Sequence, residues 1–366
     1  MLKKLFPVFL TVVLFFGAAS KTILAQTPAP TQESTPNDKG ITISPVKFEY
    51  DAGPGETVKG TIKLLNATSG DKTVYLYLRN FVSDGASGTP LFITEEKPYT
   101  SSLKDWIALQ TDNILVKNVQ ADNPNEVKVN FEIKIPANAE PGGHYAGIIA
   151  TLSKPGSNPI PEKGNLAFKD DRAAIILLNV KGDVLRSLAV DKFYATDAYT
   201  KDKPAISIFE WMPVGFLSEL RNFGNSHTVP LGDILIYNGD SKIDQILFNP
   251  ENGNILRESS RDFLNKWSGA LVELVPVLDE NGNQVVDGNG NVQSRFSFNL
   301  QNARVPLGKY TAKLAIGYDD DGSKKSLIAT YDFWVFPWKL VLAILIVIAG
   351  YIYYKYRKSK THRKHN

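Results

Sequence analysis

Beyond Ile41 the chain repeats one pattern, in which apolar residues fall on every second position of short runs cut apart by Gly, Pro and Asx clusters. Successive side chains of an extended strand point to opposite faces, so this period demands strands with one face inward. VKGTIKLL puts Val58, Ile62 and Leu64 on one side, TVYLYLRN puts Val74, Leu76 and Leu78, and EVKVNFEIKIP puts Val127, Val129, Phe131, Ile133 and Ile135. Turn clusters such as Ala52-Gly53-Pro54-Gly55, Thr68-Ser69-Gly70-Asp71 and Pro141-Gly142-Gly143 separate them. YAGIIATLS (Tyr145–Ser153) and AAIILLNV (Ala173–Val180) are continuously apolar, as expected of neighbouring central strands covered on both faces. The proline-bearing stretch between them is expected to form a long hairpin or flap at a sheet edge. SSLKDWIAL (Ser101–Leu109) reads as a short turn or helix.

A second set of strands begins after Gly182-Asp183, near SLAVDKFYA, which places a domain boundary at about residue 186. LGDILIYN, GALVELVPVLD, RFSFNL, KYTAKLAIGYDD and SLIATYDFWVF read as strands. Asn252-Gly253, Asn281-Gly282, Asp287-Gly288, Asn289-Gly290 and Asp321-Gly322 are hairpin signals, because type I′ turns need positive φ at both central residues. The expected fold is all-β: two tandem immunoglobulin-like β-sandwiches, residues 41–185 and 186–332.

Both ends of the chain differ from this body. Lys3 and Lys4 before the apolar stretch Leu5–Ala19 describe a signal peptide over residues 1–25, and QTPAPTQESTPNDKG (26–40) is a polar, disordered linker. The apolar run of residues 333–354 is expected to be a single transmembrane helix, and residues 355–366 a basic cytoplasmic tail. In that tail Lys355, Arg357, Lys358, Lys360, Arg363 and Lys364 would contact anionic lipid. The expected localisation is a type I single-pass protein of the cell membrane with its ectodomain outside. Three lysines in the first 25 residues and seven Lys and Arg after Pro337 are offset by no acid, so the chain's +3 leaves the segment between them at about −7. That balance argues against a nucleic-acid partner. Absence of Cys removes any disulfide framework, a pattern typical of exported bacterial chains.

ISPVKFEYDAGPGETVKGTIKLLN, SSLKDWIALQTDNILV and VNFEIKIPANAEPGGHYAGIIATLS together resemble the N-terminal domain of the WxL-interacting proteins of Gram-positive surfaces, over residues 43 to 180. Gly142, Gly143, Tyr145 and Gly147 of PGGHYAGII carry the sharpest part of that likeness. The resemblance implies a non-enzymatic surface protein with a peptidoglycan-binding β-sandwich, a second β-sandwich and a membrane anchor. Its implied partners are cell-wall glycan, a WxL-type surface protein or host matrix.

Chemistry has few residues to work with. The four histidines, His144, His227, His362 and His365, and the lack of Cys leave little for a zinc site or a nucleophile triad, so no enzyme is expected and no catalytic residue is assigned. No phosphate-binding glycine motif occurs. DENGNQVVDGNGN (Asp279–Asn291) offers Asp279, Asn281, Asn283, Asp287 and Asn289 as hard oxygen ligands for Ca²⁺, but its spacing departs from the EF-hand loop, and tandem hairpin turns explain the same residues better. Asn66-Ala67-Thr68 matches a glycosylation sequon and reads as a chance match at a strand end. Trp106, Trp211 and Trp267 suit sandwich packing, and Trp211, beside Met212-Pro213, is the one chosen for stacking on a sugar. The expected function is binding or adhesion at the cell surface. The alternative is a chaperone-like assembly or secretion component, in which an exposed edge strand of the first sandwich adds to a client's sheet.

Overall fold

The period-two residues become the cores of paired sheets. The computed structural model describes residues 40–68, 70–93, 101–118, 126–154, 171–199, 203–279, 282–287, 292–299 and 304–362. In the first half the strands are Ile41–Ser44 (β1), Lys47–Ala52 (β2), Thr57–Asn66 (β3), Lys72–Ser83 (β4), Pro90–Phe92 (β5), Ile107–Leu109 (β6), Asn113–Val116 (β7), Val127–Lys134 (β8), Gly142–Thr151 (β9) and Arg172–Val180 (β10). One sheet runs β1-β3-β8-β6; the other runs β2-β10-β9-β4-β5, with β7 also on β4. Their facing sides share one core: Ile62, Leu64, Val129, Phe131 and Ile133 meet Leu76, Ile148, Ile176 and Leu178. β9 is buried at every residue and pairs antiparallel with β10 along its length, as the two unbroken apolar runs require. Residues Lys104–Trp106 form a single 3-10 turn before β6.

In the second half the strands are Leu188–Asp197 (β11), Ile208–Phe209 (β12), Val214–Asn222 (β13), Leu231–Asn238 (β14), Ser241–Phe248 (β15), Ser260–Trp267 (β16), Val272–Pro276 (β17), Ser294–Phe298 (β18), Gly308–Asp320 (β19) and Ser323–Val335 (β20). Sheets β11-β13-β16 and β12-β20-β19-β14-β15 enclose a core with Phe216, Phe248, Trp267, Leu314 and Phe333, while β17 and β18 form a separate hairpin. Gly40–Asn366 is one compact unit; β1 to β10 pair among themselves, as do β11 to β20. VGFLSELRN, which shows no clean alternation, is the central strand β13 and is buried at seven of its nine residues.

The hairpin signals divide. Asp321 and Gly322, with φ of 51° and 81°, are the two-residue loop between Asp320 and Ser323, a type I′ geometry. Asn252-Gly253 is not such a turn, since only Asn252 has positive φ. The side chain of Asn249 organises that loop instead, accepting from Gly253 N at 2.7 Å and donating to Pro230 O at 2.8 Å.

The expected transmembrane helix and membrane localisation are corrected here: among the described residues no helix is long and apolar enough to cross a membrane. Phe333–Val335 complete β20, and the helix Trp338–His362 (α1) begins only after Pro337. Lys339, in its first turn, is paired with Glu210 at 2.9 Å. From Leu340 to Tyr354 the uncharged stretch extends roughly 22 Å at the helical rise, against a hydrocarbon thickness of roughly 30 Å. Lys355, Arg357, Lys358 and Lys360 continue this helix, whereas Arg363 and Lys364 lie outside the described residues, as do the signal peptide (1–25) and the linker up to residue 39.

Candidate functional site

The loops after β13 and β15 lie against the end of β9 and the outer face of the first half's six-stranded sheet. Gly143 N donates to Asn225 O at 2.8 Å, and Tyr145, 1% exposed, accepts from Arg257 N at 3.3 Å through its hydroxyl. Asn179 donates to Asp51 at 2.7 Å and accepts from Ser226 Oγ at 2.8 Å. Arg257 reaches Glu140 at 3.2 Å, and Asn254 donates to Glu49 at 2.5 Å. On a separate edge, Asp262 N of β16 donates to Ala86 O at 2.7 Å. The glycine pair that opens β9 has a physical reason: Gly142 has φ +113°, and a Cβ there would collide with the carbonyl of Asn225.

Beside this joint lies an open cleft of about 550 Å³, lined among others by Glu49, Asp51, Arg186, His227, Thr228 and Asn254. Its first-half wall is β2, which pairs in parallel with β10 and with no other described strand. Val46 O and Ala52 O accept from Ile175 N and Lys181 N of that neighbour. By the alternation of a parallel ladder, the N–H and C=O groups of Lys47, Glu49 and Asp51 therefore point away from β10, off the open edge of the sheet.

The opposite wall carries polar atoms with nothing to bond. His227 Nδ1, Thr228 Oγ1 and Asn254 Oδ1 are buried and have no hydrogen-bond partner among the described residues. Burial is the main influence on His227, pushing its imidazole down to about 4, against the pull of the Glu49 and Asp51 carboxylates. The ring lies edge-on to Tyr145, with centroids 5.7 Å apart. Burial would raise the Glu49 carboxyl, but hydrogen bonds from Lys47 and Asn254 hold it below its ordinary value. The cleft thus borders an unpaired strand edge and a set of polar side chains, which suits an extended polypeptide segment.

The residues singled out from sequence fall elsewhere. Trp211 packs edge-to-face on Phe296 of the β17–β18 hairpin at 5.2 Å, so part of its ring is already covered. Trp267 is 2% exposed and donates to Asp244 at 2.8 Å, and Trp106 packs on His144 at 4.5 Å. His144 is buried, its nitrogens facing the carbonyls of Ser102 and Glu140 at 3.0 and 2.8 Å. In the Ca²⁺ candidate loop Asp279 accepts from Asn283 N at 2.8 Å and caps a turn; Asn281, Asn289 and Asn291 lie outside the described residues, as does Gly288. The cleft residues went unnoticed because Glu49, Thr228 and Asn254 come from three distant parts of the chain; only β2's odd-position charges, usual on an edge strand, hinted at it.

No protein-family model matches the sequence, and no curated protein does. Among solved structures, the class 5 fimbriae chaperone CfaA is similar at 11% identity and a TM-score of 0.35, covering 80% of this chain and 99% of that one. The Pseudomonas aeruginosa CupB2 chaperone is similar at 6% identity and a TM-score of 0.30, over 80% of this chain and 100% of its own. The E. coli chaperone DraB gives 11% and 0.29, over 79% and 98%. Scores this low leave the functional reading to the chain's own geometry.

Proposed function

We propose that this protein is a non-enzymatic binding protein built from two immunoglobulin-like sandwiches, and that it holds an extended segment of a protein partner by strand addition to β2. The observation that carries the reading is the open edge of β2 beside a cleft lined by polar side chains. A segment laid along Lys47, Glu49 and Asp51 gains main-chain hydrogen bonds without disturbing the ladder to β10, and its side chains reach His227, Thr228 and Asn254. The charges along β2 keep the empty edge from pairing indiscriminately.

The test selects binders from a random peptide pool on the immobilised full-length chain and follows amide exchange in the complex. Strand addition predicts that the amides of Lys47, Glu49 and Asp51, fast in the free protein, become slow. Selected peptides that leave those three amides fast would reject it. Glu49→Pro removes one outward donor and leaves the inward ladder intact, so it is expected to weaken selected peptides roughly fivefold or more.

A further inference from the structure

A second recess lies on the outer face of the six-stranded sheet, where the 251–256 segment of the second half covers β10. It measures about 370 Å³, within the range of roughly 300–1,000 Å³ common for small-molecule sites. Its floor is apolar: Phe81 and Leu177 are buried, and Leu256 of the second half packs against them. Two cations line it: Lys47, which is paired with Glu49 at 3.0 Å, and Arg261. Arg261 extends between two glycines, since a Cβ at Gly88 would strike its guanidinium and one at Gly253 would lie 2.7 Å from it. Its Nη1 donates to Asn254 O at 2.9 Å; among the described residues no carboxylate pairs with it, and its buried Nε has no acceptor.

We propose that this recess binds a small carboxylate carried on an aliphatic or aromatic body, with the carboxylate on Arg261 and the body on Phe81, Leu177 and Leu256. The two nearest acids do not fill that role. Asp84 already accepts from Ala86 N, Ser87 N and Gly88 N of its own loop, and Glu251, which lines the rim of the recess, is exposed and makes no ion pair with Arg261 among the described residues. A guanidinium short of acceptors above an apolar floor selects an anion with an apolar tail over either part alone. This site needs no segment on β2 and stands or falls separately from strand addition.

The experiment compares hexanoate with its neutral isostere hexanamide on the full-length chain, by calorimetric titration and by the methyl resonances of Leu177 and Leu256. Hexanoate is expected to bind saturably and shift both residues, with hexanamide weaker by roughly tenfold or more, the range for hydrogen bonds to a charged group. Arg261→Gln is expected to reduce hexanoate to the hexanamide level. Equal binding of acid and amide, saturable binding without shifts at Leu177 and Leu256, or no saturable binding of hexanoate overturns the proposal. The acid–amide comparison on the unaltered chain decides the matter even if Arg261→Gln misfolds.

Discussion

His227 makes the joint between the halves sensitive to acid. Its imidazole titrates near 4 in the folded protein and near 6.5 when unfolded, so both states are neutral above about pH 6.5 and stability is flat there. As pH falls from about 6.5 to about 4 the unfolded chain takes up a proton that the folded one refuses, and on the order of 3 kcal/mol is lost. Glu49, held below its ordinary value, adds a smaller loss at lower pH, as its folded carboxylate protonates last. Denaturant midpoints between pH 7.5 and 4 measure this slope, and His227→Phe is expected to flatten it. Tyr145→Phe is a quieter change: it leaves Arg257 N without its acceptor and is expected to cost about 1 kcal/mol in the same measurement.

At the scale of elements, the hairpin β19–β20 depends on two left-handed residues, because an L residue with a branched Cβ clashes there. Gly322→Val is expected to destabilise by about 1–2 kcal/mol, read as a lower denaturation midpoint. The same substitution logic does not apply at Gly253, which lies outside the left-handed region. Strand β2 behaves differently again: its inward atoms are committed to β10, and its outward edge pairs with no other described strand. Helix α1 shows how a sequence window misleads, since its expected first residues were drawn into β20 by pairing of Phe333 and Val335 with Tyr310 and Gly308.

Across the whole molecule, the two halves are joined by direct hydrogen bonds and by Leu256 packed on Tyr145 and its neighbours, so they are expected to unfold in one calorimetric transition. Gly142→Ala places a Cβ against the carbonyl of Asn225 and should split that transition into two, the separated halves melting independently. A single transition at an unchanged temperature would mean that the joint tolerates the clash and that Gly142 is there for another reason.

Strand identity was readable in Thr57–Asn66 and Val127–Lys134, where one face is buried and the other wet, because alternation records that asymmetry directly. Burial of Ile148 and Ile176 and the pairing of their strands were likewise readable from unbroken apolar runs. The strand Val214–Asn222 was not, since a segment covered on both sides loses its period. Nor was the cleft, for a different reason: Glu49 with Asn254 and Asp51 with Asn179 are brought together by hydrogen bonds across as many as 205 positions. Local pattern reports which way a side chain faces; which distant side chains share a space follows only from how the sheets stack and where the two halves touch.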